Sequence, residues 1–501
     1  MRIEEVHAHT PFTIGDSWSS DPALRQSVGR YVLSNIRDTG SEEATRIFDS
    51  LAAFSRTSAT DARALAALCD RPGTHPRLVQ YDEWGKRVDR VETSEGWRGL
   101  KDFITRHGLV GEGYGEKGQE SWLRGPESLG GRAKLGNLAR LYEFVRLLIF
   151  APDSRVSLCP FSMTDGAIRT LELYGTPEQQ DKYLPKLLSR DPNESWQTGQ
   201  WMTETIGGSD VGMTETRAAP LMDTGRPAKA GDLYLVNGFK WFSSAIDGHG
   251  SLALARTNPD NSVGSKGLSL FIVPLHKKNR PAIPAGASYV EETAASSPFN
   301  GIKVHRLKEK FGTQNVPTAE LELSNAVGEL IGQEGRGVAQ IASVLNITRL
   351  YCATNCVSAV GRALQIVDSY SHTRVVGVRG KPKLLKDIPM HADRLARVAV
   401  CYRALLQLYL STTLLLGKSE TGSASDRDKR RLRILTPTVK AFTSYRATEA
   451  IAQCIEAMGG QGYMAENPMT EALRDTMVER IWEGTPSILS LDVARRRRCP
   501  S

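Results

Sequence analysis

The residues best suited to chemistry lie near the end of the chain, in the run Arg-Ile-Trp-Glu-Gly-Thr-Pro-Ser-Ile at positions 480–488. This run carries one carboxylate side chain, Glu483, and a glycine follows it. Thr485 and Pro486 are of the types preferred at the N-cap and first position of a helix, so a helix is predicted to begin there. Glu483 is therefore expected on a loop just outside that helix. A carboxylate at this place could act as a catalytic base, or could be a surface group favoured by the helix dipole.

Length and cysteine content indicate an intracellular protein of several domains. A chain of 501 residues is too long for one compact core and suggests about three domains. Its seven cysteines are odd in number and lack the dense pairing of a secreted scaffold, so we expect reduced thiols. Cys352 and Cys356 are four residues apart on a predicted helix, with no further ligand pair at zinc spacing. Core packing is therefore favoured over a metal site, and no metal is expected.

The net charge of +8 suits an anionic partner, such as a phosphate, coenzyme A, nucleic acid or a membrane surface, without choosing among them. No apolar run reaches the length needed to span a bilayer, and the N-terminus lacks the apolar core of a signal peptide. We therefore expect a soluble intracellular protein, most simply cytoplasmic, with an organelle left open. The final residues Cys-Pro-Ser do not match the peroxisomal Ser-Lys-Leu type of address.

Hydrophobic periodicity divides the chain into three parts. Residues 1–199 are predicted to form an N-terminal α-helical domain, residues 200–325 a middle β-domain and residues 326–501 a C-terminal helical bundle. The predicted fold class is therefore α+β, with mainly α structure. The clearest periods predict helices at 44–54, 61–69, 135–150, 338–371, 384–416 and 440–458, and strands at 251–256, 268–273, 302–307 and 319–323.

Two glycine-containing signals need an interpretation. Asn237-Gly238 lies between two runs of alternating apolar residues, which predicts the turn of a β-hairpin. Gly113, Gly115 and Gly118 match GxGxxG, but no clear strand precedes them and no clear helix follows. We interpret that segment as a loop and not as a dinucleotide-binding turn.

Five short runs in a fixed order carry the most specific pattern in the chain. They are Tyr-Gly-Thr-Pro-Glu-Gln-Gln at 174–180, Trp-Met-Thr-Glu-Thr-Ile-Gly-Gly-Ser-Asp at 201–210, Lys-Trp-Phe-Ser-Ser at 240–244, Gly-Gly-Gln-Gly-Tyr at 459–463 and Ile-Trp-Glu-Gly-Thr at 481–485. Together these runs resemble the acyl-CoA dehydrogenase superfamily of flavoproteins. More narrowly, His-Pro-Arg-Leu-Val-Gln-Tyr-Asp at 75–82 and Glu-Ala-Met-Gly-Gly at 456–460 are similar to its AidB-like branch.

The resemblance implies an acyl-CoA dehydrogenase-like fold: an N-terminal helical domain, a middle antiparallel β-barrel or sandwich and a C-terminal four-helix bundle, with FAD between the last two. It implies that Met202 and Thr203 meet the pyrimidine side of the flavin, that Trp241 and Ser243 lie by its ring near N5, and that Thr485 contacts it. The protein tunes a flavin through such contacts. Without the resemblance, Thr203 and Ser243 would be interpreted as strand hydroxyls facing solvent, and Trp241 as a core aromatic residue.

The resemblance also implies that Glu483 is the catalytic base, which removes the proton α to a thioester carbonyl while the β-hydrogen leaves as hydride to the flavin. Some family members carry the base on a bundle helix, at the position that aligns with Thr348, and a threonine cannot serve there. Arg349 and Gly484 fall at substrate-contacting positions. Ser209 follows two glycines, so it is either a contact to a phosphate or pantetheine chain or part of a tight turn.

Three features depart from the family pattern. The arginine that reaches the FAD pyrophosphate of a neighbouring subunit has no clean copy, because Arg374 is one residue too near Gly377. Glu456 replaces the glutamine that often precedes the Gly459-Gly460 pair, at a position implied to contact the flavin across a subunit interface, and Gly459 and Gly460 also fall at cofactor-binding positions. AidB continues past the helix after the Trp-Glu-Gly motif into a region associated with DNA binding, whereas this chain ends soon after that helix.

Three functions follow as expectations. The first is FAD-dependent α,β-desaturation of a coenzyme A or carrier-protein thioester by a homo-oligomer, either a dimer or a homotetramer, with electron-transfer flavoprotein or oxygen as acceptor. The second is a flavin oxidase of a non-thioester substrate such as a nitroalkane. The third is an AidB-like flavoprotein associated with nucleic acid and with weak dehydrogenase activity; nucleic acid is not favoured as a partner. The ordered motifs and Glu483 favour the first function.

Overall fold

The computed structural model describes residues 13–36, 42–115, 128–223, 225–284, 287 and 297–498. The chain divides into two compact units. The first unit contains Met1–Arg63, Lys134–Ser154 and Cys352–Ser501, and the second contains Ala64–Ala133 and Arg155–Tyr351. Because each unit combines separate stretches of chain, the three boundaries derived from periodicity stay a prediction.

The secondary structure is mainly helical, with strands concentrated in the second unit. The helices are α1 (Pro22–Leu33), α2 (Glu42–Thr57), α3 (Arg63–Cys69), α4 (Glu95–Arg106), α5 (Gly131–Leu135), α6 (Ala139–Phe150), α7 (Leu158–Tyr174), α8 (Pro177–Leu187), α9 (Gly337–Thr373), α10 (Pro389–Glu420), α11 (Asp426–Ala457), α12 (Pro468–Val478) and α13 (Pro486–Arg498). The strands are β1 (Arg77–Tyr81), β2 (Arg87–Glu92), β3 (Thr198–Trp201), β4 (Arg217–Pro220), β5 (Leu233–Ser244), β6 (Gly250–Arg256), β7 (Leu268–Pro274), β8 (Ile302–Leu307), β9 (Thr318–Ile331), β10 (Val375–Val378) and β11 (Lys381–Leu384).

The first unit is a helical bundle in which α10 and α11 are long antiparallel neighbours. Helix α10 begins with Pro389, and α11 begins after a capping box in which Ser425 and Asp428 satisfy each other's backbone N–H groups. Helix α11 also packs against α12 and α13, the two helices that flank the Glu483 loop. The bundle therefore holds that loop from both ends.

The second unit contains a β-barrel. Strands β6, β4, β5, β9 and β7 pair in a closed ring, with β3 beside β6 and β8 beside β9. Most pairings are antiparallel, as predicted, and β3 and β4 each run parallel to β6. Apolar side chains such as Trp201, Tyr234 and Phe271 fill the interior. Because β5 belongs to this ring and β3 pairs with its strand β6, the residues at their ends have fixed positions.

The predicted hairpin turn at Asn237-Gly238 is wrong. Both residues lie inside the single long strand β5, at a shift of register against β9. A Cβ atom on Gly238 would lie 2.5 Å from the Thr216 side-chain oxygen, so glycine is needed here for a close approach and not for a turn. The Asn237 side chain accepts a hydrogen bond from the backbone of Asn325 instead of closing a loop.

Other expectations need correction at element boundaries. The region predicted as mainly helical contains the β1–β2 hairpin, whose Gln80 side chain donates to the carbonyl of Val304 on β8. The connection between α10 and α11 is shorter than the gap between the helices predicted at 384–416 and 440–458, because α10 continues to Glu420 and α11 begins at Asp426. Of the GxGxxG segment, Gly118 lies outside the described residues.

Helix α10 also corrects the expectation about apolar length. It is long and apolar enough to cross a membrane by length and composition, with a mean hydropathy of 1.4 over its best window. More than half of that window, 56%, is buried inside the protein. A core helix of a bundle has the same composition, so this helix is weak evidence for a membrane span.

Candidate active site

The loop that carries Glu483 connects α12 to α13 and has an unusual backbone. Glu483 has a φ of 58° and Gly484 a φ of 98°, so two successive residues are in left-handed conformation. A glutamate at positive φ is strained, and such strain persists only where neighbouring groups hold it. Glu483 itself is half-buried. The predicted helix start is confirmed, since α13 begins at Pro486 and Thr485 precedes it as N-cap.

A buried lysine holds the residue that follows Glu483 in this loop. Lys440 of α11 is completely buried, and its Nζ donates a hydrogen bond of 2.5 Å to the carbonyl oxygen of Gly484. A buried ammonium needs such a partner, and the bond is stronger than one between neutral groups. It fixes the peptide directly after Glu483.

A buried glutamate holds the residue that precedes Glu483. Glu479, directly after α12, is only 2% exposed. Its Oε1 accepts a hydrogen bond of 2.8 Å from the Asn355 side chain of α9, and its Oε2 accepts one of 2.6 Å from the Trp482 indole N–H. Burial raises the pKa of Glu479 to about 7 against the opposing effect of these bonds. The sequence analysis missed this residue.

Two cysteines lie on the same face of α9 as Asn355. Cys352 and Cys356 are buried, which confirms their packing role on a helix. Burial, together with the charge of Glu479, raises the pKa of both thiols well above the usual range. These thiols stay protonated at neutral pH and are therefore poor nucleophiles.

In the second unit, the barrel brings together three of the residues expected at a flavin. Met202 and Thr203 directly follow β3, and the backbone N–H of Trp241 on β5 donates to the Thr203 carbonyl at 2.9 Å. The Lys308 ammonium covers the Trp241 ring, 3.1 Å from its centroid. The Thr203 segment and the Trp241 side chain are thus held side by side.

Ser243, two residues after Trp241, is buried on β5, and its Oγ has no hydrogen-bond partner among the described residues. The alternative interpretation of Ser243 as a strand hydroxyl facing solvent, which would be preferred without the family resemblance, is therefore wrong. A buried hydroxyl without a partner costs free energy, so a ligand atom at this place would be stabilising.

A buried ion pair fixes the exit from β3. Lys240 on β5 donates to Glu204 at 2.7 Å and to the Leu254 carbonyl at 2.8 Å, and both charged side chains are buried. Burial alone would raise the pKa of Glu204, but the Lys240 ammonium and the N–H of Glu215 lower it below its usual range. The carboxylate form therefore anchors the residues that follow Thr203.

The expected substrate contacts in the second unit lie in different settings. Ser209 is exposed on the loop after Glu204. A Cβ atom on Gly207 would lie 2.4 Å from the Asp210 carbonyl oxygen, and one on Gly208 would lie 3.2 Å from the Thr203 side chain. This loop is therefore a tight turn, whether or not Ser209 contacts a ligand. Arg349 is buried on α9 beside Thr348, whose hydroxyl donates to the carbonyl of Val344.

The residues expected to contact a neighbouring subunit's cofactor are exposed and lie apart from the Glu483 loop in sequence. Glu456, Gly459 and Gly460 lie at the end of α11, where Glu456 forms a surface ion pair of 3.0 Å with Arg394. Arg374 is exposed between α9 and the β10–β11 hairpin. In the first unit, only Glu483, Gly484 and Thr485 of the expected residues share one loop.

Comparison with known proteins gives matches along nearly the whole chain. The acyl-CoA dehydrogenase C-terminal domain matches residues 335–497, the acyl-CoA dehydrogenase middle domain matches 199–326, and the adaptive response protein AidB N-terminal domain matches 9–193. These matches confirm the resemblance and the order of a helical, a β and a helical domain.

Among relatives, acyl-CoA dehydrogenase family member 11 of Caenorhabditis elegans is 34% identical over 96% of this chain and 71% of its own length. The putative acyl-CoA dehydrogenase AidB of Escherichia coli (strain K12) is 29% identical over 84% of this chain and 69% of its own length. Among solved structures, Caenorhabditis elegans ACDH-11 in complex with C11-CoA has a TM-score of 0.83 and 33% identity, over 99% of this chain and 75% of that chain.

Proposed function

This chain belongs to the acyl-CoA dehydrogenase family of flavoproteins, and from that premise we propose that it converts an acyl-CoA thioester to its trans-α,β-enoyl product with Glu483 as the base. The family's enzymes are oxidoreductases that act on the CH–CH bond of acyl-CoA. The observation that carries the proposal is the Glu483 loop. Glu483 has a strained left-handed backbone, and Lys440 holds the carbonyl of the next residue, Gly484. Such maintained strain is typical of residues at active sites.

The residues of the second unit fit the isoalloxazine of FAD. Ser243 offers a buried hydroxyl without a protein partner, Trp241 offers an aromatic surface, and the Met202-Thr203 segment offers backbone groups beside it. FAD, when bound, accepts the β-hydrogen of the substrate as a hydride. We propose that these four residues hold the flavin ring and that Thr485 also contacts it.

The protein's own groups then have defined tasks. Glu483 takes the α-proton, and the electron pair of that C–H bond forms the new double bond as the β-hydrogen departs. The α-proton is acidic enough only when the thioester carbonyl is polarised, so Gly484 and Arg349 are proposed to orient the thioester. Thr348 carries no ionisable group and takes no part in proton transfer.

The remaining expectations concern partners. The exposed positions of Arg374, Glu456, Gly459 and Gly460 support a homo-oligomer, a dimer or tetramer in which these residues complete a neighbouring subunit's cofactor site. Ser209 is proposed to contact the phosphate or pantetheine part of the substrate. The C11-CoA in the ACDH-11 structure supports testing acyl chains of that length. Electron-transfer flavoprotein or oxygen would accept the electrons.

Product analysis tests this proposal. The FAD-loaded protein is incubated with an artificial electron acceptor and straight-chain acyl-CoA thioesters from short to long, and the thioesters are analysed by mass spectrometry. Loss of two mass units with formation of the trans-2-enoyl product is the expected result. Oxidation of a nitroalkane with release of peroxide, and no reaction of any thioester, would replace the proposal with the oxidase function. Tight, steeply salt-dependent duplex DNA binding without oxidation of either substrate would favour the nucleic-acid function.

A further inference from the structure

A buried carboxyl group behind the Glu483 loop has no task in the reaction proposed above. Glu479 lies at the end of α12, and its two oxygens have different partners. One accepts from Asn355 on α9, at 2.8 Å, and the other from the indole N–H of Trp482, at 2.6 Å. Glu479 therefore connects a long bundle helix to the residue that directly precedes Glu483.

The conformation of Glu483 explains why such a connection is needed. A non-glycine residue at a φ of 58° relaxes unless the residues on both sides are held. On the following side, Lys440 binds the Gly484 carbonyl at 2.5 Å. On the preceding side, the described contact that holds the Trp482 indole N–H is the one to Glu479. The base is thus fixed between a buried cation and a buried acid.

We propose that Glu479 is a positioning residue that holds Trp482 and so sets the backbone turn that aims Glu483. This inference rests on the proposed function, in which Glu483 is the base. Glu479 does not touch the reacting atoms in this account and acts through the indole of Trp482. Sub-ångström placement of a base has large effects on rate, because proton transfer depends steeply on geometry.

The surroundings of Glu479 make the connection sensitive to pH. The titratable groups that act on this cluster are Cys352 and Cys356 from α9, Lys440 from α11 and Glu483 from the loop itself. The thiols stay protonated at neutral pH because burial raises their pKa well above the usual range, whereas burial raises the pKa of Glu479 to about 7. A carboxylate accepts a stronger hydrogen bond than a carboxylic acid, so the bond from Trp482 strengthens as the pH rises through about 7.

A fluorine NMR titration tests this without substrate. The protein is labelled with fluorotryptophan, and the resonance that is missing in Trp482→Phe is assigned to Trp482. We expect this resonance to titrate with a midpoint near pH 7 and to lose that titration in Glu479→Gln. A Trp482 resonance that does not titrate, or that titrates equally in Glu479→Gln, would overturn the inference. Should Glu479→Gln fail to fold, an unchanged kcat in Trp482→Phe, which removes the indole donor of this bond, would overturn it as well.

Kinetics provide the second readout. Glu479→Gln and Trp482→Phe are each expected to lower kcat about 10- to 100-fold with little change in KM, and the double variant should be no worse than the stronger single one. Trp97→Phe is the matched control, because it removes a similar indole–carboxylate bond, from Trp97 to Asp247 at 2.8 Å in the second unit. This control should retain the wild-type kcat. If the wild-type protein oxidises no thioester, the proposed function fails separately, and the fluorine titration still decides whether Glu479 holds Trp482.

Discussion

The Glu483 loop and the barrel both pair their buried charges, but they differ in one buried hydroxyl group. In the Glu483 loop, the buried charges have protein partners: Lys440 binds Gly484, and Glu479 binds Asn355 and Trp482. On the barrel, the buried Ser243 hydroxyl has no partner among the described residues. A region whose buried polar groups have protein partners is organised before a ligand binds. A region with a buried hydroxyl that lacks a partner gains a hydrogen bond when a ligand binds, which supports a cofactor at the barrel.

The largest expected effect comes from the base itself. Glu483→Gln keeps the size of the side chain but cannot accept a proton, so kcat should fall on the order of 100- to 10,000-fold. FAD content and Tm should change little, because the loop keeps its contacts to Lys440 and Glu479. Glu449→Gln, which changes a partly exposed carboxylate paired with Arg446, serves as the control for loss of charge. Steady-state turnover per bound flavin measures both variants, and a Glu483→Gln enzyme with wild-type kcat would remove Glu483 as the base.

The second effect concerns the anchor on the barrel side. Glu204→Gln leaves the buried Lys240 ammonium without a negative partner, which should cost about 3 kcal/mol of stability in the second unit. Glu322→Gln breaks the more exposed pair with Lys303 and should cost less than about 1 kcal/mol. Thermal unfolding of the two variants gives the comparison. Equal losses would show that the Glu204–Lys240 pair has no special role in holding the residues after β3.

The third effect is a pH dependence that belongs to the loop. Burial raises the pKa of Glu479 to about 7, whereas in the unfolded chain a glutamate titrates near its usual value of 4.5. The folded state therefore binds the proton more tightly than the unfolded chain does. The contribution of Glu479 to the free energy of unfolding is fully present below the unfolded pKa and is lost as the pH rises through about 7. The loss amounts to about 3 kcal/mol.

Measuring Tm from pH 4 to 8 tests this sign. Relative to the wild-type protein, Glu479→Gln should become more stable as the pH increases, because glutamine does not titrate. A difference in Tm that stays constant with pH would contradict the burial of an ionising carboxyl at this position.

The smallest effect distinguishes the Ser243 hydroxyl, which has no partner among the described residues, from the Ser244 hydroxyl, which has one. Ser243→Ala should weaken FAD binding by about 1 kcal/mol while leaving the flavin-free protein equally or more stable, because the orphan hydroxyl is removed. Ser244→Ala is the matched control: its hydroxyl bonds Thr318 at 2.9 Å, so its loss should lower stability and leave FAD affinity unchanged. Flavin titration and Tm of the flavin-free protein distinguish them, and the opposite pattern would argue against a flavin contact at Ser243.

Features set by local rules could be predicted from the sequence. Thr485 and Pro486 begin a helix because capping and the fixed φ of proline are local properties, and α9 follows its period almost to the residue. The ordered motifs indicated the family because they match its sequence pattern in the same order along the chain. These predictions depended on neighbours in sequence or on a pattern of residues typical of the family.

Features set by distant contacts could not be predicted. Asn237-Gly238 has the composition of a hairpin turn, but the approach of Thr216 makes it part of a strand. In the sequence, Glu479 has no feature that distinguishes it from other glutamates at helix ends. In the structure it is buried against α9, where Asn355 donates to it. One signal was present: Asn355 lies on the same helical face as Cys352 and Cys356, and an amide in a buried stripe requires a polar partner.

The most direct test of the central claim is an anaerobic mixing experiment. The FAD-loaded protein is mixed with acyl-CoA thioesters, including C11-CoA, while the visible absorption band of the oxidised flavin is followed. The account predicts rapid bleaching of this band by at least one thioester in the wild-type protein, and bleaching slowed on the order of 100- to 10,000-fold in Glu483→Gln. A flavin that no thioester bleaches, or that is bleached equally fast in Glu483→Gln, would contradict it.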